Sequence, residues 1–110
     1  MWLFCKSGYF SAVRHTDKPD TIHLRARFGG DLERLFAKHG VGAEVAHTPR
    51  NDYAWRADVP VADWTRIVAE EAADIDYANF KNAVHDGTAR DDAYMDVWDA
   101  MRSAQLRDER

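Results

Sequence analysis

Val13, His15 and Thr16 recur as Val45, His47 and Thr48, a spacing of about 32 residues, and this echo constrains the fold more than any other feature of the chain. Arg25 and Ala26 recur, one residue short, as Arg56 and Ala57. Asp31, Leu32, Arg34, Leu35 and Phe36 align with Asp63, Trp64, Arg66, Ile67 and Val68. Each copy reads strand, strand, helix. The expected fold is therefore α+β: two ββα units forming one four-stranded, mainly antiparallel sheet, with helices on one face and further helices at the C-terminus.

The local patterns agree. Thr21–Phe28 alternates, with Ile22, Leu24, Ala26 and Phe28 on one side and His23, Arg25 and Arg27 on the other. Tyr53, Trp55, Ala57 and Val59 form the matching apolar side of a later strand. Trp2–Cys5 is apolar throughout and reads as a strand covered on both faces. Asp31 is placed to cap a helix with a Leu32, Leu35, Phe36 stripe, ending at Gly40. A second stripe runs through Trp64, Ile67, Val68, Ala72 and Ile75. A short helix is expected over 76–86, with Tyr77, Phe80 and Val84 inward. Another is expected over about 90–104 on the stripe Tyr94, Val97, Trp98, Met101, with a weak capping box at Thr88 and Asp91 and a frayed tail after it. One domain spans 1–110, with approximate repeats 9–40 and 44–75 and a helical appendage 76–106. Its expected core includes Ile22, Leu24, Leu35, Phe36, Trp55, Trp64, Ile67, Trp98 and Met101.

The chain has 110 residues, 45% of them hydrophobic, enough for a core without staples. The single cysteine, Cys5, excludes an internal disulfide and fits a reducing compartment. The apolar start stops at Lys6, too short for a signal peptide or a membrane span, so a cytoplasmic location with no membrane partner is expected. The net charge of −4 is uneven: residues 1–56 hold nine Lys and Arg against six Asp and Glu, and residues 57–110 hold six against thirteen. The acidic half is either a solubilising surface or a docking face for a basic partner.

Several segments resemble a family of small, uncharacterised bacterial proteins. The resemblance rests on Met1-Trp2-Leu3-Phe4 with Gly8-Tyr9-Phe10-Ser11, on Asp52-Tyr53 with Arg56, on Asp74-Ile75-Asp76-Tyr77-Ala78-Asn79-Phe80-Lys81, and on Tyr94 with Val97-Trp98. It covers nearly the whole chain. It implies a bacterial or phage origin and transfers no activity, cofactor or catalytic residue.

No catalytic constellation is legible. The five histidines form no zinc spacing, there is no nucleophile elbow, and Gly29-Gly30-Asp31 is a turn rather than a phosphate loop. No cofactor, metal or catalytic residue is expected. Two surfaces remain. His23, Arg25, Arg27 and Arg56 should project from the sheet face away from the helices, with Arg14 nearby and Asn79 and Lys81 at the rim. Guanidiniums on a rigid surface grip phosphate or carboxylate, and Tyr9 or Phe10 would stack a base. The competing reading pairs these arginines with Asp58, Asp74 or Asp76, or has the last helix, over about 90–104, cover the face. Asp92, Asp96 and Asp99 share one face of the last helix and would meet a protein partner.

The leading expectation is a small, non-enzymatic bacterial or phage binding protein acting through a macromolecular partner. Compact acidic α+β domains of this kind occur among phage inhibitors of host defence, including anti-CRISPR proteins. The alternatives are an anion or nucleic-acid binding module, and an enzyme whose site forms across a homodimer interface.

Overall fold

The computed structural model describes every residue, Met1–Arg110, in two units, Met1–Ile75 and Asp76–Arg110. The first unit carries a five-stranded antiparallel sheet. Its strands are β1 (Trp2–Cys5), β2 (Gly8–Arg14), β3 (Thr21–Ala26), β4 (Ala46–His47) and β5 (Trp55–Pro60), in the spatial order β1-β2-β3-β5-β4. Helices α1 (Asp31–His39) and α2 (Val61–Ala73) belong to the same unit. The sheet thus has five strands, not four. The additional one is β1, which pairs only with β2 and forms an edge. Trp2–Cys5 is accordingly not covered on both faces, and Trp2 is 70% exposed.

Alternation along the strands sorts the two faces. Phe10, Ala12, Ile22, Leu24, Ala26, Ala57 and Val59 pack with Leu32, Leu35 and Phe36 of α1 and Trp64 and Ile67 of α2 in one core. Trp55 and Val68 lie half-buried against it. Burying each large apolar side chain contributes about 1.5–3 kcal/mol, so this face carries most of the folding energy of the unit. Helix α1 starts at Gly30 in a left-handed conformation, and no side chain caps it. Asp31 is its buried first residue, bonded to Arg34 at 2.5 Å, rather than the cap. Gly40 closes it at φ 68°, a geometry that favours glycine. The stripe of α2 is shorter than its sequence suggests: Ala72 is exposed and Ile75 is 59% exposed.

Tyr53 does not share the helix-side face with Trp55. It precedes β5, in a bend where the period of two does not apply, and its ring lies with Arg25 and Arg27.

The second unit contains α3 (Phe80–Ala83) and α4 (Ala89–Asp108). The helix expected over 76–86 contracts to one turn, capped by Asn79, whose side chain accepts from the Asn82 amide. Helix α4 runs further than expected and leaves little tail to fray. The Thr88 hydroxyl accepts from the Arg90 amide, and the Asp91 carboxylate reaches back to the amides of Asp86 and Gly87. Of its expected stripe only Tyr94 is buried, stacked on Phe80. Trp98 is 43% and Met101 67% exposed, so neither belongs to the sheet core. No helix is long and apolar enough to cross a membrane.

Candidate functional site

The sheet face turned away from α1 and α2, here the far face, is built in rows by the strand register. Trp2 is opposite Ser11, Ser11 opposite Arg25, and Arg25 opposite Arg56. Phe4 and Tyr9 form the adjacent row on one side, and Val13, His23 and Asp58 the row on the other. Arg14 is opposite Ile22, which assigns it to the helix-side register and not to this face. Phe10 is fully buried in the core and Tyr9 is 8% exposed, so neither offers the free ring expected of them. The exposed aromatic of the far face is Trp2.

Four polar aromatic and cationic side chains knit the centre. The Arg27 guanidinium lies 4.0 Å and that of Arg25 4.6 Å from the centroid of the Tyr53 ring. The hydroxyls of Tyr53 and Tyr9 are 3.1 Å apart, and Tyr9 stacks on Phe4 at 4.4 Å. Burial works against ionising Tyr53. Hydrogen bonds from Tyr9 and Ser11 and the charges of Arg27 and Arg25 outweigh it, and the phenol is held below its usual value. Tyr9 is pushed up, first by burial and then by its contact with Tyr53.

Arg25 and Arg56 form no ion pair. Arg25 donates to the Ser11 hydroxyl at 3.0 Å and Arg56 to the Tyr53 carbonyl at 3.4 Å. The Nε of each is buried without a hydrogen-bond partner. Buried polar groups are nearly always paired, and like charges directly opposite on a sheet repel. This cross-strand pair breaks both rules. Arg27 differs: it reaches the Asp52 carbonyl at 2.8 Å and the Asp52 carboxylate at 3.3 Å.

His23 belongs to a separate cluster in the next row. Its Nδ1 is 2.8 Å from Asp58 Oδ1, while Lys18 and His15 approach Oδ2 at 2.9 and 3.6 Å. His15 Nδ1 accepts from the amides of Asp17 and Lys18, which leaves its proton on Nε2, towards Asp58. The hydrogen bond from His23, then that from Lys18, holds the Asp58 carboxyl below the usual range. Asp58 is thus engaged by His23 and Lys18, and Asp74 by Lys38 at 2.7 Å. Neither carboxylate neutralises Arg25 or Arg56.

A second ionic cluster joins α1 to α2 beside the sheet. Glu71, almost fully buried, accepts from Lys38 at 2.5 Å and from the Cys5 thiol at 3.2 Å, and His39 Nε2 is 3.3 Å away. Burial opposes its charge, but Lys38, Ser7 and Cys5 lower its pKa to about 2. Burial and the neighbouring Glu71 push the Cys5 thiol up to about 12, so it stays protonated and unreactive. These groups fasten the helices together. Lys38 and His39 also line an open surface pocket with Glu70, Ala73 and Asp74.

The remaining candidates lie in the second unit. Asn79 caps α3, and the Lys81 ammonium sits 4.1 Å above the Trp98 ring. Asp92, Asp96 and Asp99 are exposed along α4.

Sequence reasoning placed Arg25, Arg27, Arg56 and His23 on one face but missed Trp2, Ser11 and Tyr53 as its companions. The signal for Trp2 was present: Lys6-Ser7 before Gly8 is a two-residue hairpin loop, which sends Trp2–Cys5 to an edge beside β2. Compared with known proteins, the chain matches no protein-family model, no curated protein and no solved structure.

Proposed function

We propose that the protein is a binding module that takes an anionic group, phosphate or carboxylate, on its far face through Arg25 and Arg56. The observation that carries this reading is the cross-strand arginine pair with no carboxylate partner. Two arginines set directly opposite each other on a sheet repel, and guanidiniums grip phosphate or carboxylate through forked hydrogen bonds. The order β2-β3-α1 followed by β4-β5-α2 supports a duplicated ββα ancestry. On that reading Arg25 and Arg56 are repeat mates, and they are also directly paired in the ladder, as residues on a local two-fold axis would be. The test is a titration with pyrophosphate followed by calorimetry. Binding should weaken at least tenfold in Arg25→Ala/Arg56→Ala and fall with added salt. Equal binding by the double variant removes the reading.

A second reading rests on α4. Asp92, Asp96 and Asp99 are exposed and make no ion pair, which supports docking to a basic protein partner, the role a small acidic inhibitor of host defence would play. Replacing all three with Asn should slow association with such a partner and leave folding intact. An association rate indifferent to the substitutions and to salt leaves these residues as a solubilising surface.

A further inference from the structure

We infer that the ligand of the far face is a single-stranded nucleic acid, with its phosphates on Arg25 and Arg56 and a base stacked on the exposed indole of Trp2. This rests on the anion-binding reading above and names the class of anion.

The argument starts from the row Trp2, Ser11, Arg25, Arg56, which runs straight across four neighbouring strands. Strands in a sheet are about 4.8 Å apart, so the backbone of Trp2 lies roughly 10 Å from that of Arg25 and roughly 14 Å from that of Arg56. Four-stranded sheet platforms of this width hold two or three stacked bases. The row has a flat aromatic surface at one end, Ser11 next to it and two positive charges beyond.

Trp2 is the most exposed large aromatic of the chain, at 70%, yet it is not loose. Its ring meets Tyr9 edge-on at 6.3 Å, and Tyr9 is itself fixed by Phe4 and by the Tyr53 hydroxyl. The terminal ammonium of Met1 donates to the Ala12 carbonyl at 2.9 Å, which pins the start of β1. An ordered, solvent-facing indole costs hydrophobic free energy unless something covers it, and a nucleobase has the right shape and polarity.

Charge points the same way despite the net −4 of the chain. Asp58 is occupied by His23 and Lys18, and Asp52 by Arg27. What the face leaves uncompensated is Arg25 and Arg56. A peptide carboxylate would satisfy them equally well, but it would leave Trp2 uncovered. A phosphate strand carrying bases engages both ends of the row.

The experiment measures affinity by fluorescence anisotropy with four labelled probes: a ten-residue oligothymidylate, a ten-residue oligouridylate, an abasic deoxyribose-phosphate strand of the same length, and a ten-residue oligoglutamate. At least one base-bearing strand should bind more tightly than the abasic strand. Trp2→Ala should weaken that strand about tenfold or more, the usual scale of one base–aromatic stack, and leave the abasic strand unchanged. Trp2→Phe should restore most of the loss. Arg25→Ala/Arg56→Ala should weaken base-bearing and abasic strands alike and reduce the salt slope by about 0.7 per lost phosphate contact. Trp2 is solvent-facing, so its variants should keep the native thermal midpoint. Equal binding of base-bearing and abasic strands, untouched by Trp2→Ala, overturns the nucleic-acid assignment while arginine-dependent anion binding stands. Oligoglutamate binding as tightly as the strands overturns it in favour of an acidic protein. Absence of arginine-dependent binding to every probe overturns both readings together.

Discussion

Arg25 and Arg56 stand directly opposite each other across the β3–β5 ladder, each with a buried Nε that has no partner. The sheet register forces this juxtaposition, because the strands are pinned by the core on the other face. Like charges directly opposite on a sheet destabilise it, and on the anion-binding reading proposed above an anion would relieve that cost.

The first prediction follows from that trade. Arg56→Met removes one charge and one orphan donor while keeping the aliphatic stem. At low salt its stability should equal or exceed the native protein's by roughly 0.2–1 kcal/mol, the range for opposed like charges. The gain should shrink as salt rises. Pyrophosphate should raise the thermal midpoint of the native protein and not that of the variant, because only a state that binds is stabilised. Thermal melts with and without the anion check both statements. A large loss of stability in Arg56→Met contradicts the view that the pair is strained.

The tyrosine pair gives a spectroscopic test. Tyr53 is held below its usual value and Tyr9 above, so the tyrosinate absorbance should rise in separated steps, the first below the ordinary phenol range of about 10. Tyr9→Phe removes a hydrogen bond that lowers Tyr53, so the first step should move up. A single step at the ordinary value would show that the Arg25–Tyr53–Arg27 stack does not act on the phenol. Tyr53→Phe should also cost about 1 kcal/mol, since it strands the Tyr9 hydroxyl.

Glu71 sets an acid limit on stability. Its pKa falls from the usual 4.5 to about 2 in the folded protein. A lowered folded value means the stabilisation is fully present above 4.5 and is lost as pH falls towards about 2. Urea midpoints should therefore drop across that window. Glu71→Gln should flatten the drop and cost about 3 kcal/mol at neutral pH, because Lys38 and His39 lose their buried carboxylate. An unchanged acid limb in the variant would place the pH dependence elsewhere.

Two tryptophans on helices should behave oppositely. Trp64 is 5% exposed in the sheet core, and Trp64→Ala should cost about 3–5 kcal/mol. Trp98 is 43% exposed beneath the Lys81 ammonium, and Trp98→Ala should cost no more than about 1 kcal/mol. Comparable losses in denaturant unfolding would refute the exposure of α4.

Periodicity made the two packed strands and two packed helices readable. Ile22, Leu24 and Ala26 alternate with His23 and Arg25, and only one assignment of faces buries the apolar set. Leu32, Leu35 and Phe36 leave α1 a single way to sit. The arginine face was legible for the same reason, as the polar remainder of those strands. Legibility failed where period and packing part company. Tyr53 lies in a bend outside β5, so counting by twos from Trp55 put it on the wrong side. Tyr94, Val97, Trp98 and Met101 have helical spacing, but spacing alone does not supply a surface to pack against, and only Tyr94 is buried.

The chain alone, then, marks the strongly periodic elements, β3, α1 and the start of α2, and the apolar side of each, because these are local consequences of backbone period and side-chain hydration. It does not dictate which strands become neighbours. The register that sets Arg25 against Arg56 joins residues far apart in sequence. Such pairings arise only when the core on the opposite face has chosen its partners, since shifting any strand by one residue would turn its apolar side to water. The candidate site is a by-product of that choice: its members meet because Leu24, Ala57 and Phe10, on the other side of the same strands, are buried together in one core.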